Sequence, residues 1–394
     1  MIFGKMNPLS ITHYTLTTCL GLGQQANRDA IQAGRSGLKR CDFFDIRDLV
    51  TWIGEVAGLD QPLPTNLSAY DCRNNRLAWL ALHQDGFMDA ALAAVARHGA
   101  DRVGVFLGTS TSGIHQTELA YLEARDPLPE WYQYATTHNA FSVADFVQHT
   151  LGTKGPAVVI STACSSSAKV FASAYRAIAN GVCDAAIVGG VDSLCLTTLY
   201  GFNALQLVSP DKCKPFDLGR SGISIGEAGG YALLEKNTDS EFALLGYGES
   251  GDAYHMSSPH PEGEGALMAM KSALGKAGLM AEEIGYINLH GTGTQANDSA
   301  EAKAVAALFG SATPASSTKG WTGHTLGAAG IVEASIGLLS MKHGHIPQNL
   351  HLQTRDPLMT ISLLEQPQQH AVARILSNSF GFGGSNCSLI LGRQ

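Results

Sequence analysis

The sequence predicts an α/β fold whose parallel sheet is covered on both faces, with one architecture repeated in two halves of a single body. Three observations carry this reading. Of 394 residues, 45% are hydrophobic and only 15% charged, so the core is extensive for the surface that encloses it. Short apolar runs alternate with stretches of helical periodicity, the pattern of βαβ units. Each half also sets a reactive side chain just past the carboxyl end of a strand, where open α/β sheets bind ligands. The 44 glycines are spread over the whole length, which fits tight turns rather than a linker between separable domains.

From Arg102 onward the elements follow one by one. Val103 to Leu107 is an apolar run ending in the small-residue turn Gly108 to Gly113. Ala157 to Ile160 is apolar and β-branched and feeds Ser161-Thr162-Ala163-Cys164, after which Phe171, Tyr175 and Ile178 recur at helical spacing. Asn180-Gly181 ends that helix, and Ala185 to Val188 begins another buried strand. In the second half, Ile284 to Leu289 reads as a strand, Gly291 to Asn297 as a loop, and Asp298 as the opening of a helix running to about Phe309. Ala371 to Leu376 and Asn386 to Leu391 read as late strands on either side of the glycine-rich turn Phe380 to Ser385. The boundary between halves falls near Lys236 to Glu241, dividing the chain into residues 1–240, which carry Cys164, and 241–394, which carry His290 and His324.

Several function classes are disfavoured. Net charge is -8 and no basic run exceeds Lys39-Arg40, which leaves nucleic acid without an electrostatic footprint. The eight cysteines form no CxxC pair and no metal-finger spacing, as expected for reduced thiols of a cytoplasmic enzyme. No run of eighteen apolar residues is present, so no membrane span is expected, and Ser10 to Cys19 is too polar for a secretory leader.

Cys164 follows a strand at the expected first turn of a helix, where free backbone N–H groups and the helix dipole stabilise a thiolate. That setting alone does not single it out, because cysteine is among the most buried residue types. His290 follows Ile287-Asn288-Leu289, and His324 lies between Gly323 and the small-residue helix Thr325 to Ala334. Two histidines, each flanked by Gly and Thr at a strand or helix terminus, point to catalysis more than to packing. His255, His260, His343 and His345 lack that setting and read as surface or loop residues. Lys319 lies five residues before His324 and also reads as an ordinary solvated lysine; Glu301 completes Asp298-x-x-Glu301, which also reads as a capping box. The segment Phe380 to Ser385 is either a tight turn or a mobile backbone whose N–H faces an oxyanion beside an aromatic gate.

Together, Thr162-Ala163-Cys164-Ser165-Ser166-Ser167, His290-Gly291-Thr292-Gly293-Thr294, Lys319-Gly320-Trp321-Thr322-Gly323-His324 and Asn378-Ser379-Phe380-Gly381-Phe382-Gly383-Gly384 resemble the elongating β-ketoacyl-[acyl-carrier-protein] synthases in order and spacing. The resemblance covers roughly residues 100 to 394. It implies a thiolase-like fold of five layers, αβαβα, in a homodimer or in a heterodimer with a related chain-length subunit. It places the acyl-accepting nucleophile on Cys164 and the catalytic histidines on His290 and His324, with supporting roles for Lys319 and Glu301. The implied reaction is decarboxylative Claisen condensation of an acyl group on Cys164 with malonyl-acyl carrier protein. No metal or organic cofactor is implied for the chemistry. The oxyanion would rest on the N–H groups of Cys164 and Phe382. Phe382 resembles the gate of the acyl pocket, Asp252 a part of the facing loop, and Thr111 a position lining the acyl tunnel. Thr292, Thr294 and Phe380 join the implied substrate-binding set. Some relatives hold a structural monovalent cation near the positions matching Asn288, Glu333, Ser377 and Asn378. The run Ser165-Ser166-Ser167 is closer to polyketide-type synthases, which implies a specialised pathway such as a polyketide or an aryl polyene.

Three neighbouring readings are disfavoured. A thiolase would use a second cysteine as acid and base near the C-terminus, but Cys387 lies outside the expected motif. An initiating synthase would carry Asn where His324 stands. A non-catalytic chain-length subunit would have lost its nucleophile, whereas Cys164, His290 and His324 are all retained.

Overall fold

Apolar strands buried on both faces must satisfy their backbone groups edge to edge, and here they do so in one mixed sheet of twelve strands among the described residues, eleven along its path and the two-residue strand Gly21–Leu22 off it. The computed structural model describes residues 4–46 and 49–394. The strands of the first half are β1 (Leu9–Thr18), β2 (Val103–Gly108), β3 (Ala157–Ile160), β4 (Ala185–Asp192) and β5 (Ala228–Glu235). Those of the second are β6 (Phe242–Gly251), β7 (Tyr286–Asn288), β8 (Pro314–Ser316), β9 (Ser362–Leu363), β10 (Arg374–Gly381) and β11 (Ser385–Arg393).

The spatial order is β3-β2-β4-β5-β1 in the first half and β8-β7-β10-β11-β6 in the second, with β9 added outside β8. Counted along the chain, both halves follow the same order. The pairing directions also repeat: β2 lies parallel to β3 and β4, as β7 does to β8 and β10. The last two strands of each half turn antiparallel. The halves meet where Leu9 to Ile11 of β1 pair with Phe242 to Leu244 of β6.

The wholly parallel sheet expected from the sequence is therefore corrected to a mixed one. The physical reason is visible at β10 and β11, where a three-residue turn joins neighbours and a connection that short can only return the chain antiparallel. The strand expected at Ala371 to Leu376 begins at Arg374 and continues to Gly381. Ser377, Asn378 and Ser379 belong to the ladder, although small polar residues read as a turn.

Two helices form the middle layer. α4 (Ser166–Ala179) and α8 (Ala329–His343) pack on each other between the two half-sheets. Each residue of α8 from Ala329 to Met341 is buried, as a helix covered all round requires. They meet where a Cβ on Gly330 would stand 2.4 Å from the Ala168 nitrogen, so glycine sets this contact. Helices α1 (Arg73–Leu82), α2 (Phe87–His98) and α3 (Ser142–Leu151) cover the outer face of the first half-sheet. α6 (Glu264–Ala277) covers the second, backed by α7 (Gln295–Phe309). The result is five layers, αβαβα. No helix among the described residues is long and apolar enough to cross a membrane.

Candidate active site

Cys164 sits where β3 runs into α4, but not within the helix. The helix begins at Ser166 with Ser165 as N-cap, so the expected first-turn position is corrected by two residues. What presents Cys164 is the turn before it: Ala163 holds a left-handed φ of 51°, a conformation that costs free energy for a residue with a Cβ. Cys164 is 4% exposed and lines a cavity with His290, His324, Thr292, Thr294, Phe380, Phe382 and Asp252. Sequence motifs far apart in the chain thus meet at one wall.

His324 Nε2 lies 3.0 Å from Cys164 Sγ, and the ring of His290 stands 5.3 Å from that of His324, nearly perpendicular. The N–H of Leu326 donates to His324 Nδ1 at 3.3 Å, which assigns the imidazole proton to Nε2, on the cavity side. Lys319 Nζ donates to His290 Nδ1 at 3.3 Å and also to the His290 carbonyl, so His290 likewise turns an Nε2–H donor to the cavity. Burial, reinforced by the Lys319 cation, holds both imidazoles well below their ordinary pKa, and His290 is lowered further by His324. Both are neutral donors at neutral pH.

The sulfur experiences opposed effects. Burial pushes the Cys164 thiol up to about 12, while the Lys319 charge and the Phe382 N–H hydrogen bond pull it down. It accepts from His324 and from the Phe382 backbone, donors that offset part of the burial although the balance still favours the neutral thiol.

Behind the histidines lies a buried polar layer. Lys319 is 1% exposed and pairs with Glu333, so the alternative of a solvated lysine does not hold. Glu301 accepts the N–H groups of His290 at 2.8 Å and Gly291 at 2.7 Å, and the Asn378 amide at 3.1 Å. Burial nevertheless raises Glu301 and Glu333 to about 7 each. The capping-box alternative also falls: α7 opens at Gln295, and its N-cap Thr294 accepts the Asn297 N–H. Asp298, inside the first turn, reaches back to the N–H groups of Phe216 at 2.8 Å and Thr292 at 2.9 Å. Both carboxylates brace the Gly291–Thr294 loop instead of the helix end. Arg220, a buried cation between Asp298 and Asp356, braces it from outside and was not legible in the sequence, where nothing marks that arginine as buried.

The substrate-binding candidates divide. Thr292 and Thr294 line the cavity with their hydroxyl oxygens 2.9 Å apart, and Phe380 packs 5.9 Å from His290. Phe382 packs against Phe202 at 5.3 Å, and the adjoining Gly383 has φ 80° with open space around it. Asp252 accepts the Asn386 amide at 2.7 Å, and its N–H donates to the Gly384 carbonyl, seating its loop on the glycine-rich turn. Thr111 does not line this cavity; its hydroxyl is 3.0 Å from the buried Asp192 carboxylate. Sequence reasoning missed Phe202, Leu207 and Ile223, apolar wall residues that no local pattern distinguishes from core.

Of the four cation-matching positions, Asn288 Oδ1, Glu333 Oε2 and Ser377 Oγ are buried without a hydrogen-bond partner, and Asn288 pairs with Ser377 across adjacent strands. Asn378 is already engaged by Ser388 and Glu301. Three unsatisfied hard oxygens fit a small structural cation. One ligand atom from each of Cys164, His290 and His324 would also fall within 4.8 Å of the others, a spacing that metal sites share.

A five-layered thiolase-like fold with a cavity floored by cysteine and two histidines defines an acyl-transferring enzyme. Residues 73–240 match the beta-ketoacyl synthase N-terminal domain, and residues 242–353 the C-terminal domain. The chain is 31% identical to the 3-oxoacyl-[acyl-carrier-protein] synthase 2 of Vibrio cholerae, covering 98% of each. Its structure is similar to a ketosynthase solved with its chain length factor from Xenorhabdus doucetiae, with TM-score 0.92, 39% identity and 98% coverage of both chains. A beta-ketoacyl synthase from Burkholderia phymatum superposes with TM-score 0.88 at 29% identity, covering 99% of this chain and all of that one. The chain belongs to the beta-ketoacyl synthase family.

Proposed function

We propose that this protein is a 3-oxoacyl-[acyl-carrier-protein] synthase that condenses an acyl group held on Cys164 with malonyl-carrier protein. The observation that carries the reading is the convergence of Cys164 Sγ and the His290 and His324 imidazoles on one cavity beside Phe382. In the first half-reaction the sulfur attacks the acyl thioester, its C–S bond to the carrier breaks, and the proton lost by Cys164 leaves with the carrier thiol. In the second, the carboxylate carbon of the malonyl thioester departs as carbon dioxide and the remaining electron pair forms an enolate. The Nε2–H groups of His290 and His324 donate to its oxygen. The enolate carbon then attacks the Cys164 thioester, the new C–C bond forms as the C–S bond breaks, and the released thiolate takes a proton from solvent.

Backbone N–H groups of Cys164 and Phe382 hold the oxyanion of that last step. Lys319 and Glu301 hold His290 in place, and no metal or organic cofactor takes part in the chemistry. Phe382 and the Asp252 loop act as the gate, and Thr292 and Thr294 meet the carrier's arm. We assign the enzyme to the cytoplasm and to a specialised polyketide or polyene pathway, in a dimer with itself or with a related chain-length subunit. The Ser165-Ser166-Ser167 run and the 39% identity to a ketosynthase that assembles with a chain length factor support that placement.

The test is intact mass after incubation with an acyl-carrier protein. Wild type is expected to gain one acyl group, and Cys164→Ala none; equal labelling of both would sink the assignment.

A further inference from the structure

Asp192 ends β4, is fully buried, and has no part in the chemistry above. A carboxylate in such a place is costly unless donors fill its oxygens. Oδ1 accepts the Thr109 hydroxyl at 2.6 Å, the Ser110 N–H at 2.8 Å, and the N–H and hydroxyl of Thr111, each at 3.0 Å. Oδ2 accepts the Gly327 N–H at 2.5 Å.

Two of these donors lead on to reactive groups. The Ser110 hydroxyl donates to the Ala163 carbonyl at 3.1 Å, and Ala163 is the left-handed residue that presents Cys164. Gly327 follows Leu326, also left-handed at φ 51°, whose N–H donates to His324 Nδ1. A Cβ on Gly327 would stand 2.7 Å from Asp192 Oδ2 and 2.7 Å from the Ser110 nitrogen, so glycine lets that turn close on the carboxylate. Strained backbone at non-glycine residues persists where its surroundings over-determine it, and Asp192 reaches both strained turns.

We infer that Asp192 is a positioning residue, a strut that ties the turn presenting Cys164 to the turn orienting His324 and so holds sulfur and imidazole together through both half-reactions. The inference rests on the condensing function proposed above. Its action is geometric, because its charge opposes a Cys164 thiolate. A carboxylate suits the place because every neighbour donates, whereas an amide would set its own N–H against one of them.

Three variants test it against wild type in two assays, acylation of Cys164 by an acyl thioester and carbon dioxide release from a malonyl thioester. Asp192→Asn is expected to slow both about tenfold or more with KM within about twofold, since small misplacements at reacting groups cost rate rather than binding. Ser110→Ala cuts the link to the Cys164 turn and is expected to slow acylation more than decarboxylation; Gly327→Ala, whose methyl group would press on Asp192 and Ser110 alike, is expected to slow both. Thermal unfolding checks that each variant is folded. A folded Asp192→Asn enzyme with more than about half the wild-type kcat, or with its loss confined to KM, overturns the strut. Should that variant not fold, a Ser110→Ala enzyme that loses both half-reactions equally, or a folded Gly327→Ala enzyme that loses neither, overturns it instead. A wild type that neither acylates nor decarboxylates sinks the condensing function and the strut together, whereas a normal wild type with indifferent variants sinks the strut alone.

Discussion

A buried neutral imidazole with one nitrogen already engaged can only donate from the other, and that single constraint shapes the chemistry open to His290 and His324. Removing such a donor from a developing oxyanion typically costs about a hundredfold or more in turnover. His324→Ala is therefore expected to lower the decarboxylation rate by about that factor while Cys164 still accepts an acyl group, read by carbon dioxide release beside intact mass. Because both imidazoles titrate well below their ordinary value, the ring-proton NMR shifts of His290 and His324 are expected to cross pH 6.5 without a break. A histidine-like inflection there would contradict the neutral-donor assignment. Lys319→Met removes the cation that faces both rings and leaves Glu333 buried without its partner. Urea unfolding at neutral pH is expected to show a loss of about 3–5 kcal/mol, as for other broken buried pairs.

At the scale of elements, the middle layer depends on how closely α4 and α8 approach. Gly330→Ala would drive a methyl group into the backbone of Ala168, which cannot retreat as a flexible side chain could. It is expected to destabilise the fold by about 1–3 kcal/mol in denaturant unfolding. Gly201 provides the contrast, since it lies in α5 (Leu196–Ala204) with nothing within 4 Å of an added Cβ. Gly201→Ala is expected to be neutral or to stabilise by up to about 1 kcal/mol through helix propensity. Elements built on apolar periodicity were legible before the structure: β2, β3, β4 and α4 lie where Val103, Ala157, Ala185 and Phe171 announced them. β10 was misjudged beyond Leu376, because Ser377, Asn378 and Ser379 resemble turn residues until their strand partners are known.

For the whole molecule, two carboxylates buried behind the histidines tie stability to pH. Glu301 and Glu333 have folded values near 7, raised above the ordinary 4.5 of a glutamate. A raised folded pKa means the native state binds protons more tightly, so this contribution is complete below 4.5 and is lost as pH rises through about 7. Glu301→Gln is expected to flatten that decline, and urea midpoints measured across the window would show it. β3 also closes the sheet path at one edge with its four side chains only half-buried. An apolar edge strand invites pairing with another chain. Light scattering is expected to find two-chain particles; a strict monomer under assay conditions would count against the proposed dimer.

The sequence by itself determined the α/β class and offered Cys164, His290 and His324 as candidates, because strands, small-residue turns and reactive side chains at their ends are local patterns. Cys164 could be picked out only jointly with His290 and His324, and the fold does bring all three to one cavity. The tertiary structure alone decided what stands behind them. Lys319 became a buried partner of Glu333, Asp298 and Glu301 turned from helix caps into braces for a loop, and Asp192 accepted the N–H of Gly327, 135 residues further on. The physical reason is burial: charge and hydrogen-bonding capacity are written in the sequence, but whether water or protein satisfies them depends on contacts that only the folded chain creates.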